Sequence, residues 1–383
     1  MKSVPLGDLS LESFLAEYWQ KKPLLVRNAL PKVKPPIAAD ELAGLACEEE
    51  VESRLIIQDA VSDQWELTHG PFADETFSAL PTTHWTLLVQ AVDHWVPDAA
   101  EFLSQFYFIP SWRVDDLMIS YSGDKGGVGP HYDNYDVFLV QVSGRRQWEV
   151  GGVYDESSPR RPDTPVKILT EWEPEHCWTL EPGDLLYVPP CVGHSGIAVG
   201  EGCMTCSVGF RAPSHRDILL DFPEYIGEQL TEEVRYADPD LVPQANPGQI
   251  TSEAVMKVQK ILTQYVEDQN SLAQWFGRYM TSPKYQDEEM TLEEHCLEDV
   301  CQHLAAGGTL IKNEGSRFAF QEYGKSFFLF VDGRQYTCSG AVGEFVKTLC
   351  AKRVIRPEMG ASSEEQDSLL VDLLNHGSLY LSD

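Results

Sequence analysis

The rhythm of apolar and polar positions divides this 383-residue chain into three stretches. In the first, residues 8–30 read as a helix and then a strand. Ser10 or Ser13 could cap a segment carrying Phe14, Leu15, Tyr18 and Trp19, and Lys22-Pro23-Leu24-Leu25-Val26 follows in extended form. Further strands are expected at Leu55-Ile56-Ile57-Gln58-Asp59 and Trp85-Thr86-Leu87-Leu88-Val89. From 112 to 210, short apolar runs are broken by glycine and proline, the pattern of an all-β sandwich or barrel. Within it, Asp136-Val137-Phe138-Leu139-Val140-Gln141-Val142 has very high β-propensity. Ser143-Gly144 reads as a turn, and Arg145-Arg146-Gln147-Trp148-Glu149-Val150 as the hairpin partner. Glu181-Pro182-Gly183-Asp184 predicts a tight turn before a buried strand over 185–188, and residues 203–210 predict a strand returning across the barrel.

Helical rhythm takes over near residue 214. Residues 217–230 and 252–279 carry apolar positions at helical intervals, and Ser282-Pro283-Lys284 marks a boundary. Beyond it, helices at 291–305, 341–352 and 364–375 mix with strands at 309–312, 317–320 and 326–331. A hairpin is expected at Val331-Asp332-Gly333-Arg334. The expected division is a β-rich domain over 1–213 with N-terminal helical and strand elements, a helical region over 214–283, and a small α+β, winged-helix-like module over 284–383.

Composition narrows the setting. Hydrophobic content of 43% with 23% charged residues fits a soluble globular protein. The nine cysteines show no paired framework, which reads as reduced thiols and points to the cytoplasm. The first residues carry no apolar leader and no apolar run is long enough to span a bilayer, so neither export nor a membrane role is expected. The net charge of −31 repels phosphates and favours basic partners, so direct DNA binding is not expected. An acidic proteome, such as that of a salt-tolerant organism, would give the same charge without any partner.

The candidate chemistry lies in the β-rich stretch. His131-Tyr132-Asp133 is followed, after Pro189-Pro190, by a lone His194. Two histidines and a carboxylate can hold one face of an octahedral metal, leaving three positions for a co-substrate and dioxygen, as non-haem Fe(II) oxygenases require. Residues two apart on a strand share a face, and His194 suits delivery from a neighbouring strand. By the same alternation Arg146, Trp148 and Val150 lie on the apolar side, and Arg145, Gln147 and Glu149 on the solvated one. An arginine inside a barrel needs a carboxylate. Either a protein Asp or Glu, or the distal carboxylate of a bound dicarboxylic acid, would serve. Beside an open metal triad, 2-oxoglutarate is the better candidate. The hydroxyls of Ser120, Tyr121, Ser122, Thr205 and Ser207 could bond a ligand carboxylate, or could merely fill their strands. Gly193 and Gly196 permit close backbone approach. Cys203 and Cys206 lack a second pair and face opposite sides, so no zinc site is expected there.

Gly129-Pro130-His131-x-Asp133 with Tyr135-Asp136-Val137-Phe138, Gly144-Arg145-Arg146-x-Trp148, Pro182-Gly183-Asp184-x-x-Tyr187-x-Pro189-Pro190-x-x-x-His194 and Ser207-Val208-Gly209-Phe210-Arg211-Ala212-Pro213 together resemble the bacterial ribosomal oxygenases, in the JmjC branch of the 2-oxoglutarate-dependent oxygenases. The likeness is strongest over 112–213. It implies a double-stranded β-helix (jelly-roll, cupin-like) core, a helical dimerisation region and a C-terminal winged helix. It also implies Fe(II), with 2-oxoglutarate and O2 as co-substrates and succinate and CO2 as products. The implied substrate is an arginine of large-subunit ribosomal protein sixteen, a basic protein, hydroxylated at its β-carbon. Position by position, His131, Asp133 and His194 match the iron ligands, and Arg146 matches the residue pairing with the 2-oxoglutarate C5 carboxylate. For the substrate guanidinium, Asp115, Asp116, Tyr135 and Asp136 are candidates, because such a group needs an acidic or aromatic partner. Tyr132 after the first ligand and one extra residue between His194 and the Ser207 strand depart from the pattern.

Other functions share parts of this pattern. A JmjC demethylase would use the same triad on a methylated side chain and release formaldehyde. A non-redox cupin enzyme would not turn over 2-oxoglutarate, and a non-catalytic cupin-fold binding module would not need an intact triad.

Overall fold

The computed structural model describes residues 4–285, 294–356 and 363–382. These fall into two units, 1–212 and 213–383. In the first, α1 (Leu11–Glu17) starts at Ser10, whose Oγ accepts the N–H of Ser13 at 3.1 Å. Then follow β1 (Leu24–Val26), α2 (Ala39–Leu45), β2 (Ser53–Gln58), β3 (Trp65–His69), α3 (Asp74–Ser78), β4 (Trp85–Val89) and α4 (Pro97–Leu103). The strands that carry the site come next: β5 (Val114–Ser122), β6 (Val137–Val153), β7 (His176–Leu180), β8 (Leu185–Val188) and β9 (Val192–Phe210). They join one antiparallel sheet in the order β1-β8-β6-β9-β5-β4-β2-β3, with β7 added on β6.

Two long strands fold this sheet over itself. β6 pairs with β8 through Val137–Val140 and, further on, with β7 through Arg146–Val150, while β9 follows it along both halves. The turn expected at Ser143-Gly144 is instead a break in register inside one continuous strand. Gly144 takes φ +60°, and a Cβ there would lie 2.7 Å from the Gly202 carbonyl oxygen. The glycine therefore serves a bulge, which bends the strand without ending it. Alternation then sends neighbouring side chains to different cores. Phe138 and Val140 join Phe14, Phe106, Tyr187 and Phe210 on one side. Val137 and Leu139 join Trp148, Val150, Leu180, Leu186, Val188 and Val192 between the folded halves. This is the jelly-roll layout the sequence implied.

The second unit opens with α5 (His215–Gly227), capped by Ser214 and Asp217. The helical stretch expected over 252–279 is two helices, α6 (Ser252–Val266) and α7 (Gln269–Thr281). Asp268 separates them because its carboxylate accepts the N–H of Asn270 and the hydroxyl of Ser271. Next come α8 (Leu297–Ala305), β10 (Thr309–Lys312), β11 (Phe318–Tyr323), β12 (Ser326–Val331), β13 (Arg334–Ser339), α9 (Gly343–Ala351), β14 (Val354–Ile355), α10 (Glu364–Asn375) and β15 (Leu379–Ser382). The start of the helix expected at 291 lies outside the described residues. The hairpin at 331–334 is present, with Asp332 and Gly333 both at positive φ (49° and 77°), as a two-residue hairpin turn demands. The boundary expected at 284 does not separate two packing units. α7 lies against β11, β12 and β13, and Gly277 lacks a side chain where a Cβ would meet Phe330 at 2.3 Å. None of the helices among the described residues is long and apolar enough to cross a membrane.

Candidate active site

Two backbone hydrogen bonds bring the first and last residues of the triad together. His131 N–H donates to the His194 carbonyl at 3.0 Å, and His194 N–H donates to that of His131 at 2.8 Å, so the residues lie directly opposite. Asp133 follows two positions on, and its Oδ2 is 3.6 Å from His194 Nε2. One ligand atom from each of the three falls within 4.8 Å of the others. Each imidazole has its Nδ1 beside a backbone carbonyl, Gly129 at 2.9 Å and Val192 at 3.2 Å. Donation from Nδ1 leaves both Nε2 lone pairs for a metal. Burial, and then the neighbouring His131, push the His194 pKa down to about 4, so the ring is neutral and able to ligate at neutral pH. Two imidazole nitrogens and a carboxylate are the donor set of an open Fe(II) site. Cys191 N–H secures the loop by donating to the Asp133 carbonyl at 2.7 Å.

Arg146 lies inward on β6, only 3% exposed. Its Nη2 donates to Ser122 Oγ at 2.7 Å and its Nη1 to the Gly196 carbonyl at 3.3 Å, while its Nε and the neighbouring Trp148 Nε1 are buried without a partner. None of the ion pairs found among the described residues includes Arg146. An uncompensated buried guanidinium costs several kcal/mol, so its surroundings suit an incoming anion. The fit to 2-oxoglutarate therefore rests on orphaned donors as well as on the triad.

Cross-strand register places Ser120 opposite Thr205, Met118 opposite Ser207 and Ser122 opposite Cys203. Thr205 and Ser207 lie opposite Gln141 and Leu139, so these hydroxyls share the inner face of the sheet. They are not equivalent. Thr205 Oγ1 donates to Gln141 Oε1 at 3.0 Å and Ser120 Oγ contacts the Thr205 carbonyl at 3.5 Å, whereas Ser122 touches Arg146 directly and has Thr86 Oγ1 at 3.0 Å. Gln141 and Thr86 escaped the sequence reading. Only the register of β6 and β4 against their neighbours brings them to this face.

The four residues considered for a substrate guanidinium part company. The Tyr135 phenol pKa is raised by burial of its hydroxyl and then by the charges of the nearby Asp133 and Asp116 carboxylates. Asp116 is buried, and its Oδ1 would lie 3.7 Å from a Cβ on Gly209, with Tyr135 Cε2 at 3.9 Å from the same point. These two therefore stand together beside the triad. Asp115 is half-buried where the register of β5 slips between Val114 and Leu117. Asp136 turns the other way, into the aromatic core. It accepts from Tyr187 Oη at 2.6 Å and Gln20 Nε2 at 2.9 Å, with Arg113 Nη2 at 3.6 Å, and is fully buried. Its place at the entry to β6 ties the N-terminal segment to the barrel, and the structure does not bring it to the metal face.

Comparison with known proteins agrees with this geometry. Residues 101–218 match the JmjC domain family, and residues 264–380 match the ROXA-like winged helix. The ribosomal protein uL16 3-hydroxylase of Escherichia coli (strain K12) is 39% identical over 281 residues, 73% of each chain. The crystal structure of E. coli YcfD superposes with a TM-score of 0.88 at 32% identity, covering 98% of this chain and 99% of that one. YcfD, a ribosomal oxygenase, in complex with cobalt and 2-oxoglutarate gives a TM-score of 0.86 at 31% identity, covering 98% and 99%.

Proposed function

The chain belongs to the JmjC ribosomal oxygenases, and we propose that it hydroxylates an arginine side chain at the β-carbon in the large-subunit ribosomal protein uL16. It is a 2-oxoglutarate- and Fe(II)-dependent oxygenase. The observation that carries the reading is Arg146, a buried guanidinium paired with a serine hydroxyl and a carbonyl but, among the described residues, with no carboxylate, beside a two-histidine, one-carboxylate triad.

His131, Asp133 and His194 would hold the iron, and Arg146 with Ser122 would hold the far carboxylate of 2-oxoglutarate. When bound, iron and 2-oxoglutarate together supply the O2-activating chemistry, in which succinate and CO2 leave and one oxygen atom enters the substrate. The chain's own work is placement and exclusion. Val137, Leu139, Trp148 and Val150 keep the floor of the site apolar and close-packed. Tyr135, close to the Asp133 carboxylate, would with Asp116 face the substrate guanidinium. The net charge of −31 steers a basic ribosomal protein towards the mouth, with an attraction that weakens in salt.

A soluble cytoplasmic homodimer completes the proposal. α6 buries none of its residues and exposes Val255, Met256, Val258, Ile261, Leu262 and Val266, an apolar surface that a second copy would cover. The charge disfavours direct DNA contact.

Succinate formation from 2-oxoglutarate with Fe(II) and O2, with and without purified large-subunit ribosomal proteins, tests the function. Turnover stimulated by uL16, with a single oxygen added to it by intact mass, is the expected result. Formaldehyde release without that mass gain would move the protein to the demethylases.

A further inference from the structure

Asp116 is aimed by a chain of side chains that starts at Arg54, whose charge also acts on the Tyr135 phenol. Its Oδ2 accepts from Gln90 Nε2 at 2.7 Å and from the Ala91 N–H at 3.0 Å. Gln90 in turn accepts on Oε1 from Arg54 Nη2 at 3.1 Å, and that nitrogen also lies 3.8 Å from Met118 Sδ. The Arg54 bond fixes which end of the Gln90 amide faces Asp116, because only the NH2 end can donate to a carboxylate. Backbone geometry adds to this. Ala91 sits in the left-handed region (φ 49°), which turns its N–H to the carboxylate. The register of β5 slips around Asp116, and Asp93 Oδ1 takes the Leu117 N–H at 2.7 Å. Bulges beside active sites commonly re-aim one side chain. With Oδ2 engaged by two donors, Oδ1 is the atom that stands near Gly209 and the Tyr135 ring.

We infer that Arg54 and Gln90 are positioning residues for substrate recognition: they hold the Asp116 carboxylate in one rotamer, with Oδ1 presented to the substrate guanidinium. The inference rests on the proposed arginine substrate and names the residues that decide how firmly it is held. Among the described residues the hydrogen bonds of these two side chains go to each other, Met118 and Asp116 and not to the triad or Arg146, so the effect falls on protein substrate and not on 2-oxoglutarate. A carboxylate free to rotate no longer keeps Oδ1 where the guanidinium enters, and the charge-assisted bond to the substrate weakens.

The test is steady-state kinetics of the full-length Fe(II)-loaded enzyme with purified uL16 and 2-oxoglutarate. Gln90→Leu is expected to raise KM for uL16 about tenfold while kcat falls less than about threefold, the pattern of lost uniform binding. KM for 2-oxoglutarate should stay within about twofold. Arg54→Met, which keeps the length and apolar contact of the stem, should give the same shift. The double variant should be no worse than either single one, because both act through one carboxylate. Arg54→Lys should recover part of the loss. Effects that add in the double variant, an unchanged KM for uL16, or a parallel rise in KM for 2-oxoglutarate would each overturn the inference. If the unaltered enzyme hydroxylates no ribosomal protein, the substrate reading itself is overturned, and this inference falls with it.

Discussion

Arg146 Nη2 lies 2.7 Å from Ser122 Oγ, and no ion pair found among the described residues answers the charge of that guanidinium. The pairing is good for binding an anion and poor for stability. Arg146→Met should therefore separate the two. The ligand-free protein is expected to become more stable, by about 1 kcal/mol or more, since a buried charge gives way to an apolar group of similar length. KM for 2-oxoglutarate should rise at least about a hundredfold, as a bidentate charge-assisted pair is lost. Chemical denaturation and titration calorimetry with 2-oxoglutarate check the two halves. A less stable variant that still binds would mean that Arg146 serves only the fold.

Asp136 and Tyr187 make the opposite case, a polar pair whose work is structural. Tyr187 Oη donates to Asp136 at 2.6 Å and accepts the Gln20 N–H at 2.7 Å. Tyr187→Phe would leave a buried carboxylate and a backbone donor each one partner short, a loss of about 1–3 kcal/mol. The expected outcome is a lowered urea midpoint with KM for uL16 and 2-oxoglutarate both unchanged. A selective rise in KM for uL16 would place Asp136 in substrate recognition after all.

The response to acid follows from His194. Its folded pKa of about 4 lies below the ordinary 6.5, because burial disfavours the cation. Between those values the unfolded chain takes up a proton that the folded protein refuses, so stability of the metal-free protein falls as pH drops through the window from 6.5 to 4. Iron affinity falls in the same direction, since the proton competes for Nε2. The metal-free protein should lose a few kcal/mol more across this window than a His194→Gln variant, which cannot titrate there. Thermal unfolding of the pair, run at matched pH, reads the difference. Equal losses would show that His194 takes a proton in the fold without penalty.

Charge on the open face of α6 should decide the oligomeric state. Leu262→Asp and Val258→Asp alter side chains 62% and 48% exposed, so neither disturbs a core of the single chain. The unaltered protein is expected to elute as a dimer by light scattering and the double variant as a monomer with an unchanged unfolding midpoint. A monomeric unaltered protein would leave that apolar face without a second copy.

What the sequence made legible was local. Residues two apart on a strand share a face, so Arg146 with Trp148 could be oriented from spacing alone, whereas His131 is only an isolated bridge and Asp133 lies in the loop beyond it, so their orientation comes from the pairing with His194. The same rule could not tell a bulge from a turn at Gly144, because a glycine at positive φ serves either. Nor could it see that Asp136 stands before the strand proper and faces the aromatic core, although Val137 beside it faces the site. Asp116 lies where β5 slips register, and its aim depends on Gln90 and Ala91, distant in sequence. Proline breaks the helical rhythm near 284, but packing follows the absent side chain of Gly277, and α7 goes with the sheet it meets.

The pairing of β6 with β9 also bears on how the enzyme comes into being. His194, Gly196, Thr205, Ser207 and Gly209 all ride on β9, the last strand of its unit, and the residues they complete precede it in the chain. A growing polypeptide thus carries two of the three candidate ligands until the segment through Phe210 has left the exit tunnel. Because such distant pairings close slowly, the site can form only after this last strand has emerged and paired along β6 and β5.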